Sequence, residues 1–210
     1  MNDAISDAQD DIPRAQATPL VASLGYWSFR NRSWLPVPLG LAMLAVKPDT
    51  SNVTRIALGV ACVLTGQVLR LWAVRHIGGV SRTRTTRLGP LVSSGPYAHT
   101  RNPIYTANWF LWTGIAVSSC LDWMIPLTWA MFAVLYGTMV RWEEHMLAQR
   151  HPGSYVRYAA DVPRWWPRFA PVEKSPRVVH EWPHVLFSER GTIAALAVIA
   201  LLLVARRFIG

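Results

Sequence analysis

Apolar residues in this chain are gathered into runs separated by polar, basic stretches. The first run covers about Ser33 to Val46 and is interrupted by Pro36 and Pro38. The second, Val53 to about Val74, is long enough to cross ~30 Å of hydrocarbon, and Gly59, Gly66 and Gln67 suit close helix packing there. The turn Lys47–Asn52 joins these two runs into a hairpin. A third run starts at Pro103 and ends near Ser119, and a fourth covers Met124 to about Val140, with the turn Ser118–Trp123 between them. Asn102-Pro103 reads as a helix start: an Asn side chain can accept from an orphan backbone N–H, and proline loses nothing at the first helical position. The last run, Thr192 to Ala205, is short for a span, so an interfacial or half-inserted helix is an alternative there. The pattern predicts an all-α, multi-pass transmembrane bundle of about four to five membrane helices.

Composition agrees with that reading. The 210 residues are 51% hydrophobic and only 16% charged, against about 25% charged in a soluble domain; mean hydropathy is +0.19. Four units follow: an acidic tail over 1–30 containing Asp3, Asp7, Asp10 and Asp11; a transmembrane hairpin over 31–74; a core over 75–170; and a polar linker with the final apolar helix over 171–210. The tail lacks the basic start and early apolar core of a signal peptide.

The net charge of +9 does not imply nucleic acid. The arginines flank apolar runs, where the positive-inside bias and anionic lipid account for them. The connector 75–102 holds Arg75, Arg82, Arg84, Arg87 and Arg101 and no acidic residue. It is therefore expected on the cytoplasmic side together with the basic stretch 141–190, with the Asp122 turn opposite. Cys62 and Cys120 read as buried thiols. His180 and His184 have Trp182-Pro183 between them, which disfavours a helical metal pair, and no metal site is expected.

Two polar clusters stand at the mouths of the third and fourth runs: Gly95-Pro96-Tyr97-Ala98-His99-Thr100-Arg101-Asn102-Pro103-Ile104-Tyr105, and Arg141-Trp142-Glu143-Glu144. Ionisable groups at such positions usually mark a site. Tyr105 and Asn108 are three apart and share a helix face, near Trp109 and Trp112; Arg141 lies three before Glu144 and four before His145. Aromatic faces with carboxylates suit an organic cation. A solvated helix end and an interfacial aromatic belt would use the same residue types.

Gly95-Pro96-Tyr97, Arg101-Asn102-Pro103-Ile104-Tyr105, Arg141-Trp142-Glu143-Glu144-His145-Met146-Leu147, Tyr155, Tyr158 and Val162-Pro163-Arg164-Trp165-Trp166-Pro167, in this order, resemble the isoprenylcysteine carboxyl methyltransferase family. The wider group includes integral-membrane phospholipid methyltransferases. The resemblance covers about residues 75–170. It implies an S-adenosylmethionine-dependent enzyme with a cofactor pocket at the cytoplasmic face and a lipid or isoprenoid acceptor drawn from the bilayer. Carried over, Tyr97, Arg101, Asn102, Pro103 and Tyr105 form one wall of that pocket and Arg141, Glu143 and Glu144 another, while Leu147, Tyr155 and Tyr158 help close it. Arg101, Tyr105, Arg141 and Glu144 are the implied catalytic set. Asn102 stands where the family often has histidine, and Ala107 where glycine is frequent.

Methyl transfer from a sulfonium is an in-line displacement, so alignment supplies much of the rate. An arginine suits the methionyl carboxylate, and a carboxylate suits the ribose hydroxyls or the amino group. A carboxylate acceptor needs no base; an amine does, and Glu144 or His145 are then candidates. Membrane reductases of the sterol-reductase type, which use NADPH, share the Asn/His-Pro-x-Tyr and Val-Pro-x-x-x-Pro features. Arg141-x-Glu143-Glu144 and the short chain favour the methyltransferase. A non-catalytic membrane scaffold is the third reading.

Overall fold

The computed structural model describes residues 19–46, 52–78, 91–172 and 179–206, with backbone alone for 19–22. The acidic cluster at 3–11, most of the 47–52 turn, and Arg82, Arg84 and Arg87 lie outside the described residues.

Among the described residues seven α-helices follow in order: α1 (Pro19–Asn31), α2 (Val37–Ala45), α3 (Val53–Ile77), α4 (Pro103–Ser118), α5 (Met124–Arg150), α6 (Ser154–Asp161) and α7 (Trp182–Ala205). A 3₁₀ turn over Gly95–Ala98 precedes α4, and no strand occurs among the described residues. The chain is an all-α membrane bundle. Helices α3, α5 and α7 are long and apolar enough to cross a membrane. Their outward positions, such as Leu58, Leu64 and Val68 on α3 and Val198 and Leu201 on α7, are exposed apolar side chains, as a lipid-facing surface requires. The 16 residues of α4 extend only ~24 Å at 1.5 Å each, and that helix lies along α3.

The α3–α4 pairing rests on small residues. A Cβ on Gly114 would stand 2.5 Å from the Gly59 carbonyl oxygen, and one on Gly66 would stand 2.8 Å from that of Ala107. Side chains there would push the backbones apart, so glycine permits the close approach that drives helix pairing in lipid. Asn52 starts α3 by accepting from the Arg55 N–H (3.0 Å). Arg55 reaches Asp122 in the α4–α5 turn, which places that turn at the α3 N-terminal end.

Two boundaries differ from the sequence pattern. Pro19–Asn31 is a helix, although most of it falls in the stretch expected as a tail. Its Phe29 and Tyr26 pack on Trp142 of α5 at ring distances of 5.0 and 5.7 Å, so tertiary contact compensates for weak apolar patterning. Helix α7 begins ten residues before the apolar run, at Trp182 rather than Thr192. The charged Glu189-Arg190 step, which from sequence alone reads as a solvated helix start before the apolar run, lies inside it, and Glu189 is fully buried (0% exposed). Arg70 of α3 neutralises it, with Nε donating to Oε2 at 2.6 Å and Nη2 to Oε1 at 3.3 Å. A lone charge at membrane depth costs ~2.5–3.5 kcal/mol; pairing across two helices offsets that cost and lengthens α7 into a span.

The two polar connectors share one end of the bundle. The backbone N–H of Arg101 donates to the Pro163 carbonyl (2.9 Å), that of Arg168 to His99 (3.0 Å), that of Val172 to Ala98 (3.1 Å) and that of His180 to Arg75 (2.8 Å). Cys62 and Cys120 are free, and both are half-buried rather than buried. Trp165 packs edge-on against Trp109 at 6.3 Å, while Trp166 is 86% exposed.

Candidate active site

A cavity of about 630 Å³ opens where the two connectors meet the helices. Gly95 shapes the turn that carries Tyr97 to its lining. Its φ of +59° favours glycine, and a Cβ there would collide with the His76 ring, so the 3₁₀ turn can press Tyr97 against the bundle. Tyr158 of α6 donates to the Tyr97 carbonyl (2.8 Å), tying α6 to the same turn.

Pro103 occupies the first turn of α4, but Asn102 does not cap it with its side chain. The amide is turned instead toward α5 and the C-terminal loop, donating to the Arg164 carbonyl (3.2 Å) and, at 3.5 Å, to Glu144 Oε1. Glu144 is the hub of this end. Arg164 grips it with both forks, Nε at 3.1 Å from each oxygen and Nη2 at 2.7 Å from Oε2. Arg101 Nε stands 3.6 Å from Oε1. Glu143 faces the adjoining part of the cavity and accepts from the Tyr105 hydroxyl at 2.8 Å. Arg32, at the end of α1, provides a positive neighbour.

Burial pushes the phenols of Tyr97, Tyr155 and Tyr158 above the ordinary tyrosine range, so they stay protonated and can donate. The hydrogen bond to Glu144 raises Arg164, which remains a cation. The Tyr97 hydroxyl and Arg101 Nε are buried with no hydrogen-bond partner. Buried polar groups are normally satisfied, so the Tyr97 hydroxyl suits a polar ligand, while Arg101 Nε faces the Glu144 charge.

Tyr97, Arg101, Asn102, Pro103, Tyr105, Glu143, Glu144, Leu147, Tyr155 and Tyr158 all line this cavity. Arg141 does not. It is exposed on the outer face of α5 and donates to the Gly137 carbonyl of its own helix (2.8 Å), so its guanidinium runs back along the helix and away from the cavity. His145 pairs with Gln149 at 3.0 Å and is also absent from the lining. Asn108 and Trp112 follow Tyr105 into the cavity, whereas Trp109 turns toward Trp129 and Trp165. The His180 and His184 rings stack at 5.5 Å despite the intervening proline, because the helix starts at Trp182.

Arg164, Arg70 and Glu189 have no role assigned by sequence. Arg164 lies inside a quoted motif but far from Glu144 along the chain. Arg70, deep within the α3 run, and Glu189, just before the last run, are opposite charges in two apolar helices, and that complementarity is the signal for their pairing.

Residues 54–152 match the family model described as phospholipid methyltransferase. Over this segment the chain is similar to that family. The family includes the isoprenylcysteine carboxyl methyltransferases and points to methyl transfer at a membrane. Among curated proteins, the chain is similar to the nickel-cobalt-cadmium resistance protein NccN of Alcaligenes xylosoxydans xylosoxydans, 28% identical over 115 residues, covering 55% of this chain and 51% of that protein. It is also similar to the cobalt-zinc-cadmium resistance protein CzcN of Cupriavidus metallidurans, 34% identical over 116 residues, covering 55% of this chain and 50% of that protein. The chain thus spans about half the length of these relatives. No solved structure matches it.

Proposed function

We propose that this protein is an S-adenosylmethionine-dependent methyltransferase acting on a lipid-like acceptor, with the two polar connectors on the cytoplasmic side. The observation that carries the reading is the make-up of the cavity. One end is polar, with Tyr97, Arg101, Glu144 and Tyr155, while the end within the bundle is lined by apolar residues such as Phe29, Leu111, Ile115 and Ile199.

The polar end fits the cofactor by its donors. Arg101, fixed by Glu144, suits a carboxylate, and the Tyr97 hydroxyl suits a ribose or amino group. Leu147 and Tyr155 supply surfaces for an adenine. When bound, S-adenosylmethionine supplies an electrophilic methyl group on a sulfonium. The chain's part is to align the acceptor in line with that methyl and to exclude water. Glu144 is saturated by Arg164, Arg101 and Asn102, so it organises the pocket rather than moving a proton. Glu143, hydrogen-bonded to Tyr105 and facing the cavity, is the better candidate to accept a proton from a protic acceptor.

Calorimetry on the detergent-solubilised protein tests the cofactor. Binding of S-adenosylmethionine and S-adenosylhomocysteine is expected. Binding of NADPH with neither of these would transfer the assignment to a reductase. Radiolabelled S-adenosylmethionine with a total membrane lipid extract then tests the acceptor class: label is expected in the lipid fraction, and transfer only to water-soluble compounds would exclude a lipid acceptor.

A further inference from the structure

Helix α7 lies outside the family-matched segment, yet it forms a wall of the cavity through Thr192, Ala195 and Leu196. Charged side chains attach it to the bundle at its start, middle and end. At its start, the Arg75 guanidinium lies 4.7 Å from the centre of the Trp182 ring. At its end, Arg206 donates to the Ser119 and Val46 carbonyls, both at 2.8 Å. The middle attachment is the Arg70–Glu189 pair, with Nε and Nη2 of Arg70 on the carboxylate.

That middle attachment continues into the cavity. The remaining fork of Arg70, Nη1, donates to Asn108 Oδ1 at 2.5 Å, and Asn108 sits beside the Tyr136 hydroxyl. Arg70, Asn108 and Tyr136 all line the cavity. Glu189 therefore fixes a polar floor within the apolar end, about one helical turn from Tyr105, the hydrogen-bond partner of Glu143, on α4. All three donor groups of Arg70 are engaged, so the guanidinium orients Asn108 rather than capturing an anion itself.

We infer that Glu189 and Arg70 are positioning residues for acceptor binding: the pair holds α7 against the cavity and aims Asn108 and Tyr136 at the polar head of an amphiphilic acceptor, whose apolar part lies along the inner face of α7. This inference rests on the methyltransferase reading above. It assigns α7 a share in acceptor recognition and leaves cofactor binding to the connectors.

The pair allows a test that separates positioning from stability. Breaking a buried ion pair by removing one partner destabilises, whereas replacing both by apolar residues is often neutral. Full-length Glu189→Gln, Glu189→Asp and the double variant Arg70→Met/Glu189→Met are compared with wild type. The assay measures label transfer from S-adenosylmethionine to a titrated total membrane lipid extract, with S-adenosylhomocysteine affinity by calorimetry. The double variant should fold. Its half-saturating lipid concentration should rise roughly tenfold or more, equivalent to about 1.4 kcal/mol, while its S-adenosylhomocysteine affinity stays within about twofold. Glu189→Asp should recover part of the loss, and Glu189→Gln should behave as the double variant if it folds. A double variant with wild-type half-saturation would reduce the pair to a structural strut and overturn the inference alone. No transfer to lipid by the wild-type protein would overturn the lipid-methyltransferase reading and this inference together.

Discussion

Glu143 and Glu144 are adjacent in sequence and lead opposite chemical lives. Successive helical positions are about 100° apart, so Glu144 meets Arg164 and Arg101 while Glu143 meets Tyr105. The two substitutions should therefore separate. Glu144→Gln keeps shape but removes the charge that holds two guanidinium groups; hydrogen bonds to charged groups contribute ~1.5–3 kcal/mol. Cofactor affinity should fall by roughly 10- to 100-fold, and Arg164→Gln should fall in the same range because it releases the same hub. Glu143→Gln should leave cofactor affinity nearly unchanged and, with a protic acceptor, lower turnover by about 10²–10⁴-fold. Arg168→Gln is the control, since that side chain bonds the Asp161 carbonyl outside the cavity. Calorimetry with S-adenosylhomocysteine and single-turnover transfer measure the two effects. Equal losses in both quantities for both glutamates would show that the residues act as one unit.

At the scale of elements, the α3–α4 contact makes the sharpest demand. A Cβ at Gly114 meets the Gly59 carbonyl oxygen at 2.5 Å and Val63 atoms at 2.7 Å, and neither backbone can yield without moving a whole helix. Gly114→Val should therefore cost at least the ~1–3 kcal/mol typical of overpacking. A lowered melting temperature in detergent would register it, whereas Gly137→Ala, where a Cβ meets only the end of the flexible Arg141 side chain at 3.2 Å, should melt near wild type. Much of this scaffold is legible in sequence. The apolar runs locate α3, α4 and α5, the glycines announce close packing, and the ordered motifs identify nearly every group that lines the polar end. Periodicity fails where charge is satisfied over long range. Glu189 reads as a solvated start because its partner Arg70 is 119 residues away, and the apolar count of α7 stops short for the same reason. Motif position fails for Arg141, because the resemblance carries no helical phase. Helix α1 escapes notice since its apolar content is modest and its burial comes from Trp142.

At the scale of the whole molecule, the site exists only if both polar connectors emerge on one side. The hydrogen bonds joining 98–101 with 163–172 tie the Tyr97–Arg101 wall to the loop that carries Arg164, and a bilayer could not separate them without dissolving the pocket. The opposite end is equally defined: Arg55 with Asp122 and Arg206 with the Ser119 carbonyl close it. The excess of arginine in the first group is the basis, through the positive-inside rule, for the proposal that this side is cytoplasmic. Single cysteines at positions 84 and 168, in a background with Cys62 and Cys120 replaced by serine, should react with an impermeant maleimide only from the cytoplasmic side. A cysteine at position 122 should react only from the other. Labelling of 84 and 168 from opposite faces would contradict the shared pocket itself. Labelling of both from the outer face would preserve the pocket but deny it the cytoplasmic supply of S-adenosylmethionine. The cofactor assignment could not stand in that orientation.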